Sequence, residues 1–226
     1  MIGLLTLFGR QVRRETLLHL RDLRSCINAC LFFLMIIIFF PLTMPADPML
    51  LRTIAPGLVW IAMLLALFLS AECFFQHDYD DGVIEQWLIS SYPLCVLVYA
   101  KLVVHWLLNA IPMIVLCPLL AVLLRLDYHE TFVLIVSLLC GTPAILALCA
   151  MAAAFSTGLK QKGVLMALVL LPLTIPVMIL GSSATSMMMQ GIAVDAYLAL
   201  LAAISCLAIA LLPFATAGII RISLAE

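Results

Sequence analysis

The chain has 226 residues, of which 66% are apolar and 10% charged, with a net charge of −1. An ordinary soluble protein is about 25% charged, and a folded domain needs far more polar cover than this chain can supply. The composition excludes a soluble enzyme, a disordered chain and a nucleic-acid binder. It predicts an all-α membrane protein, in which six spans of ~20 residues use about 120 residues and leave no room for a soluble domain.

Residues 1–24 are the most charged stretch. On a helix, Arg10, Arg13, Arg14, Arg21 and Arg24 fall within an arc of about 100°, with Leu5, Phe8, Val12 and Leu23 opposite and only Leu17 interrupting the basic side. This pattern predicts a basic amphipathic helix lying in the membrane interface. No cleavable signal peptide is expected, because the basic, apolar and small-residue blocks are not in the required order.

The six-span domain, residues 25–226, begins with a span at about 26–44, closed by Pro41, Pro45 and Pro48. Span two follows at about 54–75. The connection 76–93 is long and acidic, with Asp78, Asp80, Asp81 and Glu85 and no Lys or Arg. Asp81-Gly82 marks a turn, after which Val83 to Leu88, including Ile84, Gln86 and Trp87, reads as a short amphipathic helix suited to docking on a soluble partner. A calcium loop is excluded, since a loop starting at Asp78 puts Val83 at the required glycine and Ile89 at the required glutamate.

Span three, about 94–124, is long enough to be tilted or broken near Pro112 and Pro118. Spans four, five and six follow at about 131–155, 164–184 and 197–218, with a Ser/Met/Gly-rich loop at about 182–196. Dense prolines free backbone carbonyls, which inside a bilayer need a partner. Thr142, Thr174 and Thr216, beside Pro143, Pro176 and Pro213, are the expected donors.

Lysine and arginine placement sets the orientation. With the N-terminus cytoplasmic, that side holds the five N-terminal arginines, Lys160, Lys162 and Arg221, with Lys101 close by, against Arg52 and Arg125 outside. Six spans then put both termini in the cytoplasm. No fixed-period repeat supports an inverted-repeat transporter. The eight cysteines lack C-x-x-C spacing and are expected as small apolar thiols in packed helices.

Ionisable groups inside spans are costly and therefore informative. Glu72 falls near the cytoplasmic end of span two and Lys101 about two turns into span three, where it is expected to snorkel or to pair with Glu72. His105, one turn deeper, is expected as a hydrogen-bonded packing residue. No two histidines at haem-ligand geometry are expected, because His19, His77 and His129 lie in unrelated segments and His77 and His129 fall on opposite faces. No catalytic or nucleotide-binding motif is present, so any energy source lies in a partner. A secondary transporter needs coupling carboxylates near mid-membrane, and the candidates lie near the cytoplasmic edge.

Several segments carry a family resemblance in order and spacing. They are Ile54 to Trp60, Asp78 to Gln86, Ala100 to Trp106, Leu139-Cys140-Gly141-Thr142-Pro143, Thr157-Gly158-Leu159-Lys160 with Gly163, Leu171 to Pro176, and Pro213 to Ala217 with Arg221-Ile222-Ser223. Over nearly its whole length the chain resembles the CcmB family, the permease subunit of the cytochrome c maturation ABC transporter. The resemblance implies a half-transporter of the bacterial inner membrane, present in two copies, working with the ATPase CcmA and with CcmC and CcmD. It implies that 78–88 is the coupling helix and that 1–24 is an interfacial connector. The implied task is ATP-driven release of the haem-loaded chaperone CcmE from CcmC–CcmD, or, on an older reading, haem export. ATP would be bound by the partner ATPase and haem handled by partner proteins, with no cofactor or metal held by this chain.

Overall fold

The structure, a computed structural model, describes residues 3–21, 23–43, 47–72, 74–89, 92–157 and 162–223. Pro45, Gly158, Leu159 and Lys160, named in the sequence reading, and residues 224–226 of the expected six-span domain lie outside the described residues. Among the described residues all regular structure is helical. The elements are α1 (Leu4–Arg21), α2 (Leu23–Thr43), α3 (Pro48–Ala71), α4 (Gln76–Asp80), α5 (Val83–Ile89), α6 (Leu94–His105), α7 (Ile111–Leu123), α8 (Tyr128–Ser156), α9 (Lys162–Met189) and α10 (Asp195–Ser223).

Six helical stretches are long and apolar enough to cross a membrane: Leu23–Thr43, Met49–Asp80, Leu94–Leu123, Tyr128–Ser156, Leu170–Met189 and Asp195–Ile222. The chain is an all-helical, multi-pass membrane protein with six spans. Several boundaries differ from expectation, and span two, expected over about 54–75, is α3 from Pro48 to Ala71. Pro41 lies inside α2, which runs on to Thr43. The expected loop from 182 is helix as far as Met189. Its hydroxyls bond back to their own helix, Ser182 to the Ile179 carbonyl at 3.2 Å and Ser186 to the Ser182 carbonyl at 3.1 Å. Ser182 and Ser186 thus satisfy their hydroxyls within the helix, as a membrane helix requires, whereas the buried Thr185 hydroxyl has no hydrogen-bond partner among the described residues.

The core is built around α8, which packs against α9, α10 and α3. Gly141, Ala144, Ala147, Ala150 and Ala154 are buried on it. Small residues let helix backbones approach closely where no hydrophobic effect drives association. Trp60 of α3 is fully buried against the two glycine positions Gly141 and Gly181. Most of α2 and α10 faces outward with apolar side chains, as lipid contact demands.

The prolines are handled differently from expectation. Proline removes the N–H that its i−4 carbonyl needs. Pro112 frees the Leu108 carbonyl, which takes the Cys26 thiol of α2 at 2.9 Å. Span three widens into a π-helical turn, Trp106–Ala110, just before this proline. Pro213 frees the Ile209 carbonyl, which accepts from Tyr99 Oη of α6 at 2.7 Å. Thr174 and Thr216 instead bond carbonyls one turn back on their own helices, Leu170 and Leu212. Thr142 accepts from Trp106 Nε1 at 2.9 Å.

Candidate functional site

The scarce charge of this chain converges where α1, α4 and α6 meet. Glu15 and His19 lie four residues apart on α1 and therefore share one face of that helix. Lys101 and His105 have the same spacing on α6. The two stripes pair in register, Glu15 with Lys101 and His19 with His105.

Lys101 is buried, and its Nζ is ion-paired to Asp78 of α4 and, at 3.3 Å, to Glu15. The same Nζ lies 5.8 Å from the ring centroids of Phe75 and of Trp87 on α5. Arg14 completes a quartet, with one guanidinium nitrogen 2.8 Å from Glu15 and the other 3.1 Å from Asp78. Gln11 donates to Glu15 at 2.8 Å. Two carboxylates thus face two cations. Balance of this kind is what allows charge to be buried, since an unpaired carboxylate there would cost several kcal/mol, on the order of the penalty for any buried ion.

One turn deeper the polar chain continues. His105 is held between Ser70 Oγ at 2.8 Å and His19 Nε2 at 3.2 Å, with the Phe74 ring beside it. At that separation one histidine nitrogen donates and the other accepts. A cavity of about 230 Å³ opens onto this chain of contacts, lined by Arg14, His19, Ser70, His77, Lys101 and His105 among others. Among the described residues, no three His, Cys, Asp or Glu side chains converge as a metal centre requires.

The acidic segment is divided by this packing. Asp78, Ile84 and Trp87 face inward. Asp80, Asp81, Glu85 and Gln86 face outward. Gly82, between the two short helices, has φ +67°, a left-handed conformation that favours glycine. Glu72 is exposed in the turn after α3, and the expected pairing with Lys101 does not form, because Glu15 and Asp78 take that ammonium. Arg10, Arg13, Arg21 and Arg24 are exposed, whereas Arg14 reaches into the quartet. The His19–His105 hydrogen bond was not foreseen from the sequence, and the matched spacing of Glu15-His19 and Lys101-His105 was the available signal.

At the opposite ends of spans two and four a second cluster forms. Arg52 of α3 is paired to Asp127 and, at 2.5 Å, to Glu130. Glu130 also accepts from the Asp127 amide at 2.9 Å, closing the capping box of α8.

Six spans, a pair of short helices between spans two and three, and a buried ionic tie joining them define a polytopic helical membrane subunit without a recognisable catalytic centre among the described residues. A family model described as CcmB protein matches residues 5–223, and the chain belongs to the CcmB family. It is 43% identical over 219 residues to Heme exporter protein B of Pseudomonas aeruginosa, covering 97% of this chain and 98% of that protein. The proteins of the same name from Haemophilus influenzae and Escherichia coli K12 are each 39% identical over 218 residues, covering 96% of this chain and 99% of theirs.

Proposed function

We propose that this chain is the non-catalytic permease subunit of an ATP-driven complex for cytochrome c maturation. It couples hydrolysis by a separate CcmA-type ATPase to release of a haem-loaded CcmE chaperone from CcmC–CcmD. On this reading it lies in the bacterial inner membrane in two copies, with both termini cytoplasmic. ATP is held by the ATPase and haem by the partner proteins, and α1 lies in the lipid interface with its arginines at headgroup level.

The observation that carries the reading is the two-sidedness of 76–89. Its outer surface presents Asp80, Asp81, Glu85 and Gln86, and its inner surface is anchored on span three through Asp78 and Trp87. A segment that docks outward and grips inward can turn differential binding of ATPase states into a shift between membrane conformations. Haem export by the chain itself is the second reading, favoured by the name of its relatives, Heme exporter protein B.

The test is reversal of the outer charges. The triple variant D80K/D81K/E85K leaves the inward-facing residues intact and is expected to abolish co-purification of the ATPase. Undiminished co-purification refutes the docking surface. Haem movement by the purified chain in liposomes, without ATPase, supports the second reading over the first.

A further inference from the structure

We infer that Lys101 is a positioning residue that binds α1, α4, α5 and α6 into one rigid body, so that the amphipathic helix is part of the transmission path rather than an anchor alone. The inference rests on the coupling role proposed above for 76–89.

Lys101 is the point where four elements meet. Its ammonium touches a carboxylate from α1 and another from α4, and lies against the Trp87 ring of α5, while its backbone belongs to α6. Three of the four ionic side chains are almost completely buried, at 7% exposure for Lys101, 2% for Glu15 and 5% for Asp78. Such groups resist sliding, because any displacement strands a buried charge, whereas apolar contacts slide at little cost. The Arg14 bridge from Glu15 to Asp78 ties α1 to α4 a second time. The His19–His105 bond repeats the α1–α6 register one turn deeper. A displacement imposed on the outer face of α5 therefore reaches α1 and the first half of span three together. The π-helical turn at Trp106–Ala110 lies directly beyond His105 and marks where the body ends.

The chain has eight cysteines, so spin labels are best carried on non-canonical amino acids. Exposed Leu5 on α1 and Ile89 at the end of α5 are suitable positions. In the complex with its ATPase, the Leu5–Ile89 distance distribution is expected to be narrow and unchanged between the nucleotide-free and ATP–vanadate states. The variant K101M/D78N/E15Q makes the three buried groups neutral at similar volume. It is expected to broaden this distribution at least twofold and to shift it when nucleotide binds. K101R, which keeps the charge, is expected to retain the narrow distribution. A nucleotide-dependent Leu5–Ile89 distance in the wild type overturns the inference, as does an unchanged distribution in the neutral variant or one as broad in K101R. If the wild-type chain retains no ATPase, the proposed function fails instead. The same distribution in the isolated chain then still decides whether Lys101 holds the body together.

Discussion

Substituting Gly181 by alanine tests how spans two, four and five are locked. Trp60 is fully buried, and its indole occupies the space that side chains would take at Gly141 and Gly181. A Cβ at 181 would lie 1.9 Å from Trp60 Cζ2 and 2.2 Å from Cε2. Carbon atoms rest at about 3.5–4.0 Å, so the ring would have to move by roughly 1.5 Å. At Gly141 the nearest approach is 2.5 Å, again to Trp60, with Leu201 at 3.3 Å. Overpacking of this kind costs ~1–3 kcal/mol and sometimes more, and G181A belongs at or above the upper end because a rigid ring, not a flexible chain end, is in the way. G57A and G218A are the controls. Nothing lies within 4 Å of the added methyl at either, and replacing glycine inside a helix gains ~0.5–1 kcal/mol. Denaturant titration in detergent micelles reads all three. The cost of G181A is also expected to shrink in a W60L background, where the clash is gone. A G181A protein as stable as wild type, or a cost indifferent to residue 60, refutes the packing account.

Further outcomes follow from the polar contacts. K101M leaves Glu15 and Asp78 to share Arg14 as their one remaining cation and is expected to cost ~1–3 kcal/mol, most of it recovered in K101M/D78N/E15Q, by the same titration. Y99F removes the donor to the Ile209 carbonyl and is expected to cost ~0.5–1.5 kcal/mol; adding P213A restores an amide for that carbonyl and should make the Tyr99 change nearly silent. R52M leaves the buried Glu130 carboxylate with only the Asp127 amide, at a cost of ~1–3 kcal/mol. D127N is expected to cost no more than ~1 kcal/mol, since Asp127 is largely exposed. Equal losses for R52M and D127N would refute that division.

The six spans were legible because a run of 18 or more apolar residues has few other uses. The end of span five was not, because Ser182, Thr185 and Ser186 resemble loop residues until their hydroxyls are seen within a helix. Pro112 and Pro213 were legible as places that free carbonyls, but their donors, Cys26 and Tyr99, lie on other helices. A one-dimensional reading favours the neighbouring threonines. The basic face of α1 was legible from its periodicity. The packed face, with Gln11, Glu15 and His19, was not, because its partners lie more than 60 residues away. The Glu72–Lys101 pairing followed from assuming that span two runs straight to 75. Instead α3 ends at Ala71 and the chain turns, leaving Glu72 outside and returning Asp78 to the ammonium.

Burying two carboxylates and a lysine at this junction is an inefficient way to gain stability, since an apolar core of equal volume commonly holds helices as well or better. What the ionic arrangement supplies is uniqueness of register. Leucines at positions 15, 78 and 101 would pack in several relative placements differing by a fraction of a turn. Glu15, Asp78 and Lys101 satisfy one another in a single placement, and every other strands a charge. A lever transmits displacement only if it does not deform under load, and here that demand falls on two short helices of five and seven residues, which are too short to be stable alone. Their stiffness must therefore come from what they are tied to. The buried charge is placed at that tie, which accounts for its presence in a chain that otherwise keeps charge to a tenth of its residues.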